Sequence, residues 1–163
     1  MIDIDNWIYE MEQGEDSDKA SGEKYQNELF KDYVLRNNDR ISERKALLER
    51  FEKGEPLTGE KGLRKALAAF DLSYFGRAYL SHYFTRKSPA FHEELDHIWT
   101  DGVMKGKNPA ENSREISGLK GSRNVTAAPR GHAKSTNLTF KDTLHAILYK
   151  YKHYCIIISD STE

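Results

Sequence analysis

Residues 124–159 constrain this chain more than any other part of it. The stretch reads as strand, tight loop, helix and strand. Asn124-Val125-Thr126-Ala127-Ala128 is a short strand candidate, and Tyr154-Cys155-Ile156-Ile157-Ile158-Ser159 is a second, apolar almost throughout. Between them, Leu138, Leu144, Ile147, Leu148 and Tyr151 recur near the 3.6-residue helical period. Two short strands joined through one amphipathic helix predict a right-handed crossover between parallel strands buried on both faces. The expected fold class is therefore α/β with a parallel sheet.

The loop that opens this helix is Pro129-Arg130-Gly131-His132-Ala133-Lys134-Ser135-Thr136. A phosphate group is held by backbone N–H groups turned inward, with the positive end of a helix behind them. The usual pattern is glycine, four residues, glycine, lysine, then serine or threonine. Here Lys134 and Ser135 match, whereas Ala128 and Ala133 stand at the two glycine positions and Gly131 lies inside. Ala133 is tolerable if its φ stays negative. In this pattern Lys134 lies against the β and γ phosphates, and the Ser135 hydroxyl faces Mg²⁺. Thr136 serves the first helical turn. Arg130 is placed to stabilise γ-phosphate charge or to form a surface ion pair. His132 reads as a loop residue. The competing interpretation is a helix preceded by a basic loop, with Lys134 as a surface charge.

Upstream the chain is mostly helical in pattern. Ile2, Ile4, Trp7, Ile8 and Met11 form a small apolar cluster, followed by Gly14-Glu15-Asp16-Ser17-Asp18 and Ser21-Gly22, which reads as an acidic flexible linker. From Tyr25 to Phe51 neither proline nor glycine intervenes, so one helical stretch is expected up to Gly54-Glu55-Pro56. Leu63, Leu67 and Phe70 give a further helical spacing. Tyr74, Phe75, Ala78, Tyr79 and Tyr83 give another after Asp71-Leu72-Ser73. Ser88-Pro89 opens a helix that would carry Phe91, Leu95, Ile98 and Trp99 on one face. Residues 107–121 read as a loop around a short helix. The expected division is a helical segment over 1–58, then a helical lead-in and an incomplete nucleotide-binding domain over 59–163.

Charge is asymmetric. Residues 1–60 carry 9 Lys/Arg against 16 Asp/Glu, and residues 61–163 carry 16 against 10. A basic back half suits contact with phosphates. No apolar run approaches the roughly 20 residues that span a bilayer, so no membrane partner is expected. The opening Met1-Ile2-Asp3-Ile4-Asp5 lacks the basic and apolar regions of a signal peptide. Cys155, the single cysteine, reads as a small core hydrophobe in a reducing compartment. His92 and His97 are poorly spaced as metal ligands, and no zinc is assigned.

The run Thr126-Ala127-Ala128-Pro129-Arg130-Gly131-His132-Ala133-Lys134-Ser135-Thr136 resembles the ATPase motif of the large terminase subunit of tailed bacteriophages, which often has an Ala-Pro-Arg-Gly lead-in. Ile158-Ser159-Asp160-Ser161-Thr162-Glu163 resembles that family's next element, a strand entering a Ser-Asp-acidic turn. Ser88-Pro89-Ala90-Phe91-His92 looks like its helical lead-in. The resemblance is sharp over 124–163, loose over 70–123 and absent over 1–60. It implies a P-loop NTPase with a RecA-like parallel sheet core, truncated here, that hydrolyses ATP with Mg²⁺ to drive double-stranded DNA into a procapsid. It further implies a homo-oligomeric ring on the portal, a small terminase subunit as partner, and the cytoplasm of an infected bacterium as the setting. Under the same resemblance residues 128–136 bind the nucleotide (Ala128, Pro129, Arg130, Gly131, His132, Ala133, Lys134, Ser135 and Thr136), Ser135 also meets the metal, and Arg130 is the catalytic arginine. Ala133 departs from the glycine most members keep. Asp160 is not assigned as the magnesium-holding aspartate, because in such motors that residue usually lies on a different strand. The remaining catalytic and nuclease motifs of the family lie beyond Glu163, so this stretch alone is expected to be inactive. Two alternatives are a different DNA motor, such as a helicase, and a non-enzymatic helical interaction module.

Overall fold

A computed structural model of the chain describes residues 16–36, 40–103, 126–127, 133–152 and 155–158, with side chains described from residue 22 onward. Every regular element in these residues is helical. In chain order they are α1 (Asp16–Val34), α2 (Ile41–Glu52), α3 (Leu63–Ala68), α4 (Leu72–Tyr79), α5 (Ala90–Val103), a π-helix (Ser135–Asp142) and α6 (Thr143–Leu148).

The expected parallel sheet is overturned. Thr126 and Ala127 of the first strand candidate and residues 155–158 of the second are described, and none lies in a strand. Ile156, Ile157 and Ile158 are 77%, 58% and 90% exposed, the reverse of a strand buried on both faces. The α/β, RecA-like core of a P-loop NTPase is therefore absent among the described residues. The physical reason is arithmetic on partners. Two short parallel strands supply one ladder and need cover on both faces, and a stable sheet generally takes three or more strands with a packed face.

The described residues fall into two compact units, divided between Ser81 and His82. In the first unit α1 packs on α2 and α4, and α3 packs on α2 and α4. The core holds Leu29, Phe30 and Tyr33 of α1, Leu47 of α2, Leu63 and Leu67 of α3, and Tyr74 and Phe75 of α4. Aromatic rings knit it together. Phe30 lies 5.1 Å from Phe51 and meets Tyr74 edge-on at 6.2 Å, with Tyr33 5.5 Å from Tyr74. Such pairs add about 0.5–1.5 kcal/mol each beyond area burial.

Two sequence readings change in this unit. Asp16–Gly22 lies within α1 instead of forming a linker. The single stretch expected from Tyr25 to Phe51 is two helices, α1 ending at Val34 and α2 starting at Ile41. The intervening sequence Asn37-Asn38-Asp39 is made of poor helix formers. Arg40, just before α2, has φ 45°, a left-handed turn made without glycine. The remaining boundaries follow the sequence. α2 ends before Gly54, whose φ is +83°. Asp71 caps α4 by accepting from the Tyr74 N–H at 2.8 Å. The loop before α3 returns the Pro56 and Leu57 carbonyls to the N–H groups of Leu63 and Arg64, satisfying donors that a helix start otherwise leaves open. Gly62 permits that return, since a Cβ there would run into the Leu57 carbonyl oxygen and Thr58.

In the second unit the π-helix packs on α5 and continues directly into α6. α5 starts at Ala90, with the Pro89 carbonyl accepting from the His92 and Glu93 N–H groups, so the Ser88-Pro89 start is off by one residue. Its buried residues are Leu95 and Asp96, with Phe91 and Trp99 half-buried and Ile98 exposed. Residues 104–125, including the expected 107–121 loop, lie outside the described residues. Cys155 is half-buried, less enclosed than a core position. No described helix is long and apolar enough to cross a membrane.

Candidate functional site

Of the nine residues expected to hold a nucleotide, Ala128, Pro129, Arg130, Gly131 and His132 lie outside the described residues. Ala133, Lys134, Ser135 and Thr136 are described, and they form the turn into the π-helix. Ala133 has φ 49° and Lys134 has φ −54° and ψ −49°, a left-handed residue followed by a right-handed one. Consecutive residues of opposite hand turn their N–H groups toward one point, the backbone arrangement that binds anions. The condition that Ala133 keep a negative φ is therefore not met. The alanine adopts the backbone that glycine takes at little cost, at an expense of about 1–2 kcal/mol.

Behind the turn the helix starts cleanly. The Asn137 N–H donates to the Ala133 carbonyl at 2.9 Å, and no side chain of the N-cap residue Lys134 caps the first turn. The Lys134 side chain is half-buried, Ser135 is exposed and Thr136 is half-buried. Ser135 is thus open to a ligand. An ammonium, a hydroxyl and a positive helix end within one short turn are the groups that Mg²⁺-triphosphate chemistry draws on.

The helix body departs from expectation. The apolar stripe does not form its buried face: Leu138, Leu144 and Leu148 are half-buried and Ile147 is exposed, while Tyr151 is buried. Asn137, Lys141, Asp142, His145 and Ala146 are buried instead. They recur at i, i+4, i+5, i+8 and i+9, a helical stripe of mostly polar side chains. The apolar stripe would need the sheet to cover it, and the described residues supply none.

That polar stripe meets α5. Lys141 Nζ lies 2.6 Å from Asp96 Oδ1 and 3.4 Å from Asp142 Oδ1, with all three side chains buried. The same ammonium sits 5.5 Å from the Phe84 ring centroid. Burial drives the Asp142 carboxyl up to about 7; the Asp96 charge adds to that and Lys141 opposes it. His145 stacks on Tyr151 and lies 4.7 Å from Tyr149. No group of three or more His, Cys, Asp or Glu among the described residues is placed to hold a metal ion. Sequence reasoning missed this cluster. The signal was present as polar residues at helical spacing opposite the apolar stripe, and it was masked by treating the apolar positions as the buried ones.

A second buried ion pair belongs to the first unit. Arg44 bonds the Tyr33 carbonyl at 2.7 Å and pairs with Asp71 at 3.0 Å, while its guanidinium lies 5.3 Å from the Phe70 ring centroid. Burial pushes the Asp71 carboxyl up, with Arg44 pulling against it. The Arg44 Nη1 thus joins the Tyr33 carbonyl of α1 to Asp71, the N-cap of α4, and fastens α1, α2 and α4.

Compared with known protein families, with curated proteins and with solved structures, the chain matches none.

Proposed function

We propose that residues 128–136 bind the phosphates of Mg²⁺-ATP, and that the chain is the amino-terminal part of the large subunit of a phage terminase, the motor that packages double-stranded DNA. The observation that carries this reading is the Ala133–Lys134 turn. The alanine standing where the motif has glycine takes a left-handed backbone followed by a right-handed lysine, a pair of opposite hand that suits an anion, at the mouth of a helix and beside the motif's serine. The Ala-Pro-Arg-Gly lead-in supports the terminase assignment over other nucleotide-binding chains. The reading stands on the turn and the motif, with no sheet invoked.

In this reading the Lys134 ammonium balances phosphate charge, the N–H groups of the turn donate to phosphate oxygens, and the Ser135 hydroxyl is offered to the metal. Arg130 is the motif arginine. The DNA, the small subunit, the portal and the ring are partners of the assembled motor, which works in the cytoplasm of the infected cell.

The test is thermal melting of the full chain with Mg²⁺ and a non-hydrolysable ATP analogue. A site saturated at a hundred times its dissociation constant adds about 2.7 kcal/mol to stability, and the melting temperature rises accordingly. Lys134→Ala should abolish the rise, and Ser135→Ala should remove its dependence on Mg²⁺. An equal rise in Lys134→Ala, or none in the parent chain at millimolar analogue, refutes the site. The second reading, a non-enzymatic helical module, is favoured by the absence of strands among the described residues and predicts that null result.

A further inference from the structure

We infer that Asp96, Lys141 and Asp142 form a proton-binding site inside the second unit, in which one proton is held by the carboxylate pair and its release loosens the packing of the π-helix on α5. The argument begins with charge. One ammonium and two carboxylates share a buried space, so with both acids ionised the set carries a net negative charge away from water. An excess buried charge is costly, and a proton removes it.

Geometry assigns the proton. Lys141 is committed to Asp96 at 2.6 Å, a short charge-assisted bond. Its 3.4 Å approach to Asp142 makes no hydrogen bond, and neither Asp142 oxygen has a hydrogen-bond partner among the described residues. Asn137 stands five residues earlier, one π-helical repeat back, and is 1% exposed with neither amide atom partnered among the described residues. Protonation therefore turns Asp142 from a bare buried anion into a neutral donor on a helix face that already holds an unused acceptor.

Among the described residues, two charged groups act on Asp142. From its own helix comes Lys141, and from α5 comes Asp96. His145 is the next titratable residue along the same buried stripe. The loop before α5 contributes Phe84, which brings no charge. The Asp142 carboxyl at about 7, against a usual aspartate value near 3.9, puts the transition in the physiological range. The sign follows. The folded chain binds the proton more tightly than the unfolded chain, so the contribution to stability is complete below the ordinary aspartate value. It is lost as pH rises through about 7.

The experiment titrates aspartate carboxyl carbons in the full chain by NMR, with Asp142→Asn and Asp96→Asn for assignment. One resonance should titrate near neutrality and vanish in Asp142→Asn. In Asp96→Asn, Lys141 is released to Asp142 and the midpoint should fall by more than one pH unit. In parallel, the melting temperature of the parent chain should drop between pH 6 and pH 8.5. Asp142→Asn, which imitates the neutral acid, should be nearly flat over that interval. An Asp142 carboxyl that titrates in the ordinary aspartate range overturns the inference. So does a melting profile whose pH dependence survives in Asp142→Asn. Should Asp142→Asn fail to fold, the Asp96→Asn midpoint decides: an unchanged value rejects the coupled pair.

Discussion

Buried charge in this protein plays two different parts, and the partners of each residue decide which. Asp71 has a full set: Arg44 at 3.0 Å and the Tyr74 N–H at 2.8 Å. Among the described residues Asp142 has no hydrogen-bond partner, and the Lys141 ammonium at 3.4 Å sits closer to Asp96. Removing one member of a buried pair strands the other, so Asp71→Ala should cost about 3–5 kcal/mol, measured by urea unfolding. Asp71→Asn keeps an acceptor for the Tyr74 N–H and should lose less. Equal losses in the two variants would show that the ion pair, and not the cap, accounts for the effect. The same chemistry in Asp142 runs the other way: asparagine there removes a penalty.

At the scale of elements, the helices start and stop where local chemistry is strong. The helix start at Asp71 and the Gly54 stop were readable from the sequence, and the Ser88-Pro89 start to within one residue, because each acts within a few residues of itself. The division into one helix ending at Val34 and another starting at Ile41 was not, since neither proline nor glycine marks it. The turn at Ala133 is the element with most at stake. Its φ of 49° is strained for an alanine, so Ala133→Gly should stabilise the fold by about 1 kcal/mol. If the turn binds phosphate, the same change should also tighten binding of the ATP analogue, read as a larger melting shift in Mg²⁺. A glycine that destabilises the chain would mean the left-handed turn is not populated in solution.

For the whole molecule, the first unit draws its stability from one aromatic core. Phe30 is fully buried and touches Phe51 and Tyr74, so Phe30→Ala should cost about 3–5 kcal/mol. Amide exchange should show protection falling across α1, α2 and α4; loss confined to α1 would contradict a shared core. The spacing of Leu63, Leu67, Phe70, Tyr74 and Phe75 marked core helices in advance, and all five residues are buried. What the sequence determined unaided was local: the helical character upstream of residue 103, several helix ends, and the order of residues in the loop that enters the helix at Lys134. Burial was decided by tertiary structure. An apolar stripe such as Leu138, Leu144 and Ile147 states a preference, and Ile156-Ile157-Ile158 states a stronger one. A preference becomes a buried face only when another surface arrives to cover it. Here α5 arrives with Asp96, and the face that is covered is the one bearing Lys141 and Asp142.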